Sequence, residues 1–79
     1  MYMIEKKLYN CLKKIFKKNK IPKNIKNLKI GSFKSWDSLS HLNLLLTIEK
    51  EFKIKFPLKQ IYEIRTIKQV IIFINKSKK

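Results

Sequence analysis

The sequence predicts an all-α protein: a small antiparallel four-helix bundle, three longer helices plus one short one, with a long first loop. Apolar residues recur at steps of three and four in separate stretches, the signature of helices with one buried face. One Gly and two Pro in 79 residues leave little turn chemistry for a β architecture. A chain of this length, 44% hydrophobic, fills one modest core in one domain, 1–79, and has no room for a deep catalytic cleft besides.

Residues 1 to about 19 read as the first helix. Ile4, Leu8, Leu12, Ile15 and Phe16 form its apolar stripe, with Cys11 at the edge, and Lys6, Lys13 and Lys17 lie on the opposite face. Such a helix packs in a bundle or, being Lys-rich, lies on an anionic membrane. From Lys20 to Ser35 the periodicity fades, and Pro22, Asn24, Asn27 and Gly31 mark a connection long enough to suggest a functional surface. Ile21, Ile25, Leu28, Ile30 and Phe33 punctuate it, so it is expected to pack on the bundle, with Trp36 anchoring its end.

The second helix is expected from Ser38 to Phe52. Asp37 is a good N-cap, its carboxylate able to accept from free backbone N–H groups of the first turn. Ser38 then stands at the helix start with its hydroxyl exposed. Wound at 3.6 residues per turn, the helix carries two apolar stripes. Leu44, Leu45, Ile48 and Phe52 share one face; Leu39, Leu42 and Leu46 share the opposite one. Periodicity alone leaves two readings of the second stripe: a central helix packed on both sides, or an exposed docking strip.

After a brief alternation over residues 53–56, Pro57 opens a short helix, Leu58 to Glu63, with Ile61, Tyr62 and Ile64 expected inward. Thr66 and Gln69 fit a capping box at the head of the last helix. That helix is expected to run to about Lys76 with Ile67, Val70, Ile71 and Ile74 on the core side, and Ser77, Lys78 and Lys79 are expected to fray.

Several chemistries are disfavoured by the residue set. Asp37, Ser38 and His41 supply the residue types of a hydrolase, but Asp37 would have to cap the helix and orient His41 at once, and no glycine-rich elbow is present. His41 lies near the inward face of its helix, where a structural role is expected. A lone His with scattered acids is not a metal site. The single Cys11 precludes an internal disulfide and fits a reducing compartment. No apolar run approaches a membrane span, and Glu5, Lys6 and Lys7 interrupt the N-terminus early, so no signal peptide is read and a cytoplasmic location is expected.

The net charge is +15. It reads either as lysines on solvated faces, together with the abundant Ile and Asn a sign of composition, or as attraction to an acidic partner. A basic helical module binding nucleic acid or anionic membrane is therefore the alternative function, although no base-reading helix-turn-helix is visible and no nucleic acid is expected as partner.

Asp37-Ser38-Leu39, the leucine-rich helix ending Ile48-Glu49-Lys50-Glu51-Phe52, and Ile54-Lys55-Phe56-Pro57 stand in the register of the acyl carrier protein family, which the chain resembles best from Gly31 to Ile74. The Trp36 to Leu42 segment resembles small stand-alone carriers more than the main fatty-acid carrier. The resemblance implies a non-catalytic carrier whose cofactor, 4'-phosphopantetheine, is joined to Ser38 by a phosphodiester, with Asp37 and Leu39 flanking it. A phosphopantetheinyl transferase would attach the arm from coenzyme A. An acyl- or aminoacyl-activating ligase would load it as a thioester, and a downstream synthase or transferase would use it, as in fatty acid, polyketide, peptide or other specialised biosynthesis. The resemblance makes Leu39, Leu42, Asn43, Leu46 and Glu49 partner-docking positions and decides the second stripe in favour of docking. A monomer is expected. The core around Leu45, Ile48, Phe52 and Ile64 either opens to shelter an acyl chain or is plain core. The chain departs from the family in charge: typical carriers are acidic, whereas Asn43 and Lys50 stand here where acids are common. Partners should then present acidic or neutral surfaces, or rely on the leucines.

Overall fold

The stripe of the first segment folds as helix α1 (Tyr2–Ile15) in a computed structural model that describes residues 2–77. Ile4, Leu8, Cys11 and Leu12 are buried along it, and Cys11 lies fully inside, not at the edge of the stripe. The helix stops short of Asn19 because nothing apolar follows Phe16 until Ile21. Phe16 is instead drawn into an aromatic cluster with Phe33 and Trp36, ring centroids 5.5 and 5.0 Å away. The expected start at Met1, and fraying at Lys78 and Lys79, lie outside the described residues.

Helix α2 (Ser38–Phe52) has the expected bounds and packs chiefly on α1. Leu44, Leu45 and Ile48 are fully buried, each contributing about 1.5–3 kcal/mol of apolar burial. The helix ends where Lys53 turns into the left-handed region (φ 56°), its N–H donating to the Glu49 carbonyl. The connection over 16–37 is packed, with Ile21 and Ile25 buried and Leu28, Ile30 and Phe33 half-buried. Gly31 supplies a turn at φ 94°, and its N–H donates to the Trp36 carbonyl at 3.0 Å.

Helix α3 (Leu58–Glu63) is one short piece with no fully buried residue. Ile61 is half-buried and Ile64, just past its end, is buried, but Tyr62 is 72% exposed and does not point inward as expected. Six residues give α3 one inward line, taken by Ile61 and Ile64 three apart. Tyr62, about 100° further round than Ile61, falls outside it.

Helix α4 (Ile67–Ser77) opens with the capping box: the Gln69 N–H donates to Thr66 Oγ1, and the Thr66 N–H donates to Gln69 Oε1, both at 3.1 Å. Ile67, Val70 and Ile74 are buried and Ile71 is half-buried, while Ser77 is still helical. The four helices form the expected small helical bundle, and among the described residues no strand is present. An isolated antiparallel bridge, Lys29 with Thr66, pins the long loop to the α3–α4 link. The Ile30 N–H donates to the Arg65 carbonyl and the Ile67 N–H to the Leu28 carbonyl, both at 3.0 Å.

Candidate functional site

The site is built at the head of α2. Asp37 is extended (φ −99°, ψ −171°), so its carboxylate turns back over the first turn and Oδ1 accepts from the Ser40 N–H at 2.9 Å. That bond, foremost, holds the Asp37 carboxyl below its ordinary value. The Asp37 carbonyl accepts from the His41 N–H. Ser38, the first residue of the helix, is exposed.

Two residues before it, Trp36 is 2% exposed and closes the loop onto the core. The indole Nε1–H donates to His41 Nδ1 at 3.0 Å. An acceptor at Nδ1 means a neutral ring protonated at Nε2, which then donates to the Ile64 carbonyl at 2.7 Å. Both His41 nitrogens are thereby engaged, as its inward position foretold, and neither is free to take a proton from Ser38. With Asp37 turned to Ser40, the three residues do not assemble into a catalytic triad.

Leu39, Leu42 and Leu46 are 68, 38 and 46% exposed, so the second stripe is not packed within the fold. Asn43 is exposed and borders a shallow groove with Leu46 and Lys50. Glu49 is half-buried, and its Oε2 accepts from the Phe56 N–H at 2.6 Å, fastening the chain beyond α2. Glu51 pairs with Lys14 at 3.0 Å.

Beside Ser38 lies a cleft of about 310 Å³. Its α2 wall is Ser38, His41 and Leu42; Ile30 of the loop, the α3 residues Leu58, Ile61 and Tyr62, and Ile64 and Arg65 complete it. Space for an apolar chain thus lies between the exposed-leucine side of α2 and α3. The Leu45 and Ile48 side is solid core, with Phe52 half-buried at its end. Sequence reasoning missed Ile30, Leu58 and Arg65 here; the bridge that carries Ile30 and Arg65 in has no local sequence signal.

Two other features bear on chemistry. Burial, and next the charge of Glu51, push the Cys11 thiol up to about 11, which leaves it without thiolate reactivity. A second, lysine-lined groove brings Lys20 and Lys23 of the loop beside Lys13, Lys17 and Tyr9. Among the described residues no group of three His, Cys, Asp or Glu side chains could hold a metal ion, and no helix is long and apolar enough to cross a membrane.

Residues 36–74 match the family model described as the phosphopantetheine attachment site. Over this segment the chain is similar to that family. Members of the attachment-site family are carrier domains, not catalysts, and hold 4'-phosphopantetheine covalently on a serine. No curated protein and no solved structure matches the chain significantly. The matched residues run from the buried Trp36 to the buried Ile74 and take in α2, α3 and most of α4. The donor set fits the group. The serines of the segment are Ser38 and Ser40; Ser40 is half-buried with its N–H held by Asp37, whereas Ser38 is exposed at the positive end of a 15-residue helix dipole, which favours a phosphodiester.

Proposed function

We propose that the protein is an acyl carrier protein, with Ser38 as the attachment point of 4'-phosphopantetheine. The observation that carries the proposal is the exposed Ser38 hydroxyl at the head of α2, inside the matched segment and on the rim of the cleft. The chain has three tasks. Asp37 and the Trp36–His41 pair hold the helix start rigid so that the hydroxyl is presented in one place. The exposed Leu39, Leu42 and Leu46 give partner enzymes an apolar strip beside it, with Asn43 and Glu49 at its margin. The arm, when attached, supplies a terminal thiol that holds an acyl or aminoacyl group as a thioester.

A phosphopantetheinyl transferase installs the arm, an acyl- or aminoacyl-activating ligase loads it, and a downstream synthase or transferase takes the cargo, in fatty acid, polyketide, peptide or related biosynthesis. Tethering the cargo to a small carrier raises its effective concentration at each docked enzyme. The apolar cleft between α2 and α3 is the place where a short acyl chain would be sheltered.

Incubation with coenzyme A and a broad-specificity transferase, followed by intact-protein mass spectrometry, tests the proposal. Wild type should gain one arm, and Ser38→Ala should stay folded and gain none. A wild type that stays unmodified, or a Ser38→Ala chain that is modified, refutes it. The groove of Lys13, Lys17, Lys20 and Lys23 favours a second reading, binding of nucleic acid or anionic membrane. That reading requires micromolar or tighter binding with a steep salt slope.

A further inference from the structure

We propose that the enzymes docking on this carrier present an acidic rim around an apolar pocket, the charge inverse of a basic docking surface. The inference rests on the carrier reading of Ser38 and names the chemistry of the partner at that site. Its first support is the fate of the carboxylates on the α2 segment. Each is bonded within the chain: Asp37 accepts from the Ser40 N–H, Glu49 from the Phe56 N–H, and Glu51 pairs with Lys14. One oxygen of each is already occupied, so the acids on this face are partly neutralised by the chain's own donors and offer a basic partner less than free carboxylates would.

The second support is what brackets the leucine strip. At the Ser38 end, Arg65 shares the cleft with Ser38 and Leu42. It is the one arginine in a chain whose other cations are lysines, and the planar guanidinium fork suits a partner carboxylate better than an ammonium does. At the far end, Lys50 shares a groove with Leu46. Both are exposed, and among the described residues neither is in an ion pair.

The third support is the field of the whole chain. A net charge of +15 repels a basic protein surface over a Debye length and steers an acidic one in. Exposed leucines at the centre of the face favour a protein over a nucleic acid, since a phosphate backbone offers nothing apolar to cover Leu39 and Leu46.

The test compares two forms of one broad-specificity phosphopantetheinyl transferase: one with its carrier-facing surface substituted to Asp and Glu, the other with the same positions Lys and Arg. Arm transfer to the apo chain is followed by intact mass at about 25 mM and about 250 mM salt. The acidic form should have a kcat/KM at least roughly tenfold higher at the lower salt, with the gap shrinking at the higher. The double variant Lys50→Glu/Arg65→Glu, checked for helicity by circular dichroism, should narrow or invert that preference. Should the double variant misfold, Asn43→Lys, at an exposed position whose side chain makes no hydrogen bond among the described residues, should widen the preference instead. Equal efficiency of the two forms, or a preference that salt does not change, overturns the inference while leaving the carrier reading intact. Arm transfer by neither form overturns the carrier reading and the inference with it. Suppression of arm transfer by a short DNA duplex at about 150 mM salt shows the face belongs to nucleic acid and overturns the inference alone.

Discussion

The Trp36 indole donates to His41 Nδ1 at 3.0 Å, and through the opposite nitrogen His41 reaches the Ile64 carbonyl. One buried relay thus ties the end of the long loop to α2 and α2 to the end of α3, the three elements that frame Ser38 and the cleft. Among the described residues no buried side-chain nitrogen or oxygen lacks a partner, so breaking the relay creates a defect where there is none. Trp36→Phe keeps a ring but strands His41 Nδ1, and should cost about 1–3 kcal/mol in urea unfolding. His41→Leu strands the indole N–H and the Ile64 carbonyl at comparable cost. The double variant should lose less than the two singles together, because each single already breaks the shared bond. Strict additivity would show that the contact contributes nothing.

The Asp37 cap makes stability depend on acid pH. Its carboxyl is held below the ordinary value of 3.8, foremost by the Ser40 N–H, so the charged form is favoured in the folded state. A group depressed in this way contributes fully above its unfolded value, and the contribution is lost as pH falls through the folded value. Glu51, held down by Lys14, has the same sign. Wild type should therefore lose thermal stability below about pH 4. Asp37→Asn, which keeps an acceptor but cannot ionise, should start lower near neutrality and decline less in acid. Parallel wild-type and Asp37→Asn curves from pH 7 to pH 3 would remove the cap from the account.

How legible this was in the sequence varies with the range of the interactions. The bounds of α2 and the head of α4 could be read because their signals are local: Asp37 caps a turn that begins at the next residue, and Thr66 and Gln69 satisfy each other three apart. The sequence pattern points Tyr62 inward and the fold does not, because the six residues of α3 hold too few apolar positions to define a face. Cys11 reads as marginal in the sequence because an apolar stripe has no sharp edge until a partner helix covers it, and α2 packs on this one. The cleft was invisible for a different reason. Ile30 and Arg65 meet only through the Lys29–Thr66 bridge, a pairing between distant segments with no periodic trace. The Ser38 position was legible because a cap, an exposed hydroxyl and a following apolar helix are consecutive in the chain.

Cys11 offers a labelling test of the core. Its thiol is fully buried on the inner face of α1 and pushed up to about 11, mainly by burial. A thiol reagent at pH 8 should leave it untouched in the native protein, the thiolate being both scarce and inaccessible. Labelling should appear only through opening of α1 from α2, and its rate should rise with urea in step with unfolding. Prompt stoichiometric reaction without denaturant would place α1 outside the core.

Leu42 separates a carrier from a bundle in which Ser38 merely begins a helix. The side chain is 38% exposed, flanks the cleft beside Ser38, and lies about 160° round α2 from Leu44, so Leu42→Glu removes less buried area than the loss of a fully buried leucine. Unfolding should become easier by only about 1–2 kcal/mol, less than a core truncation costs. Arm transfer to Ser38 should nevertheless slow at least about fivefold, the effect of losing about 1 kcal/mol at the centre of a docking surface, where a buried carboxylate replaces an apolar anchor. The effect should sit in KM, since the attacking hydroxyl is untouched. Leu45→Ala provides the contrast: it should unfold the domain more easily by about 2–5 kcal/mol while sparing docking on whatever remains folded. A Leu42→Glu chain modified at the wild-type rate would mean that partners approach Ser38 from elsewhere and that the exposed leucines serve another contact.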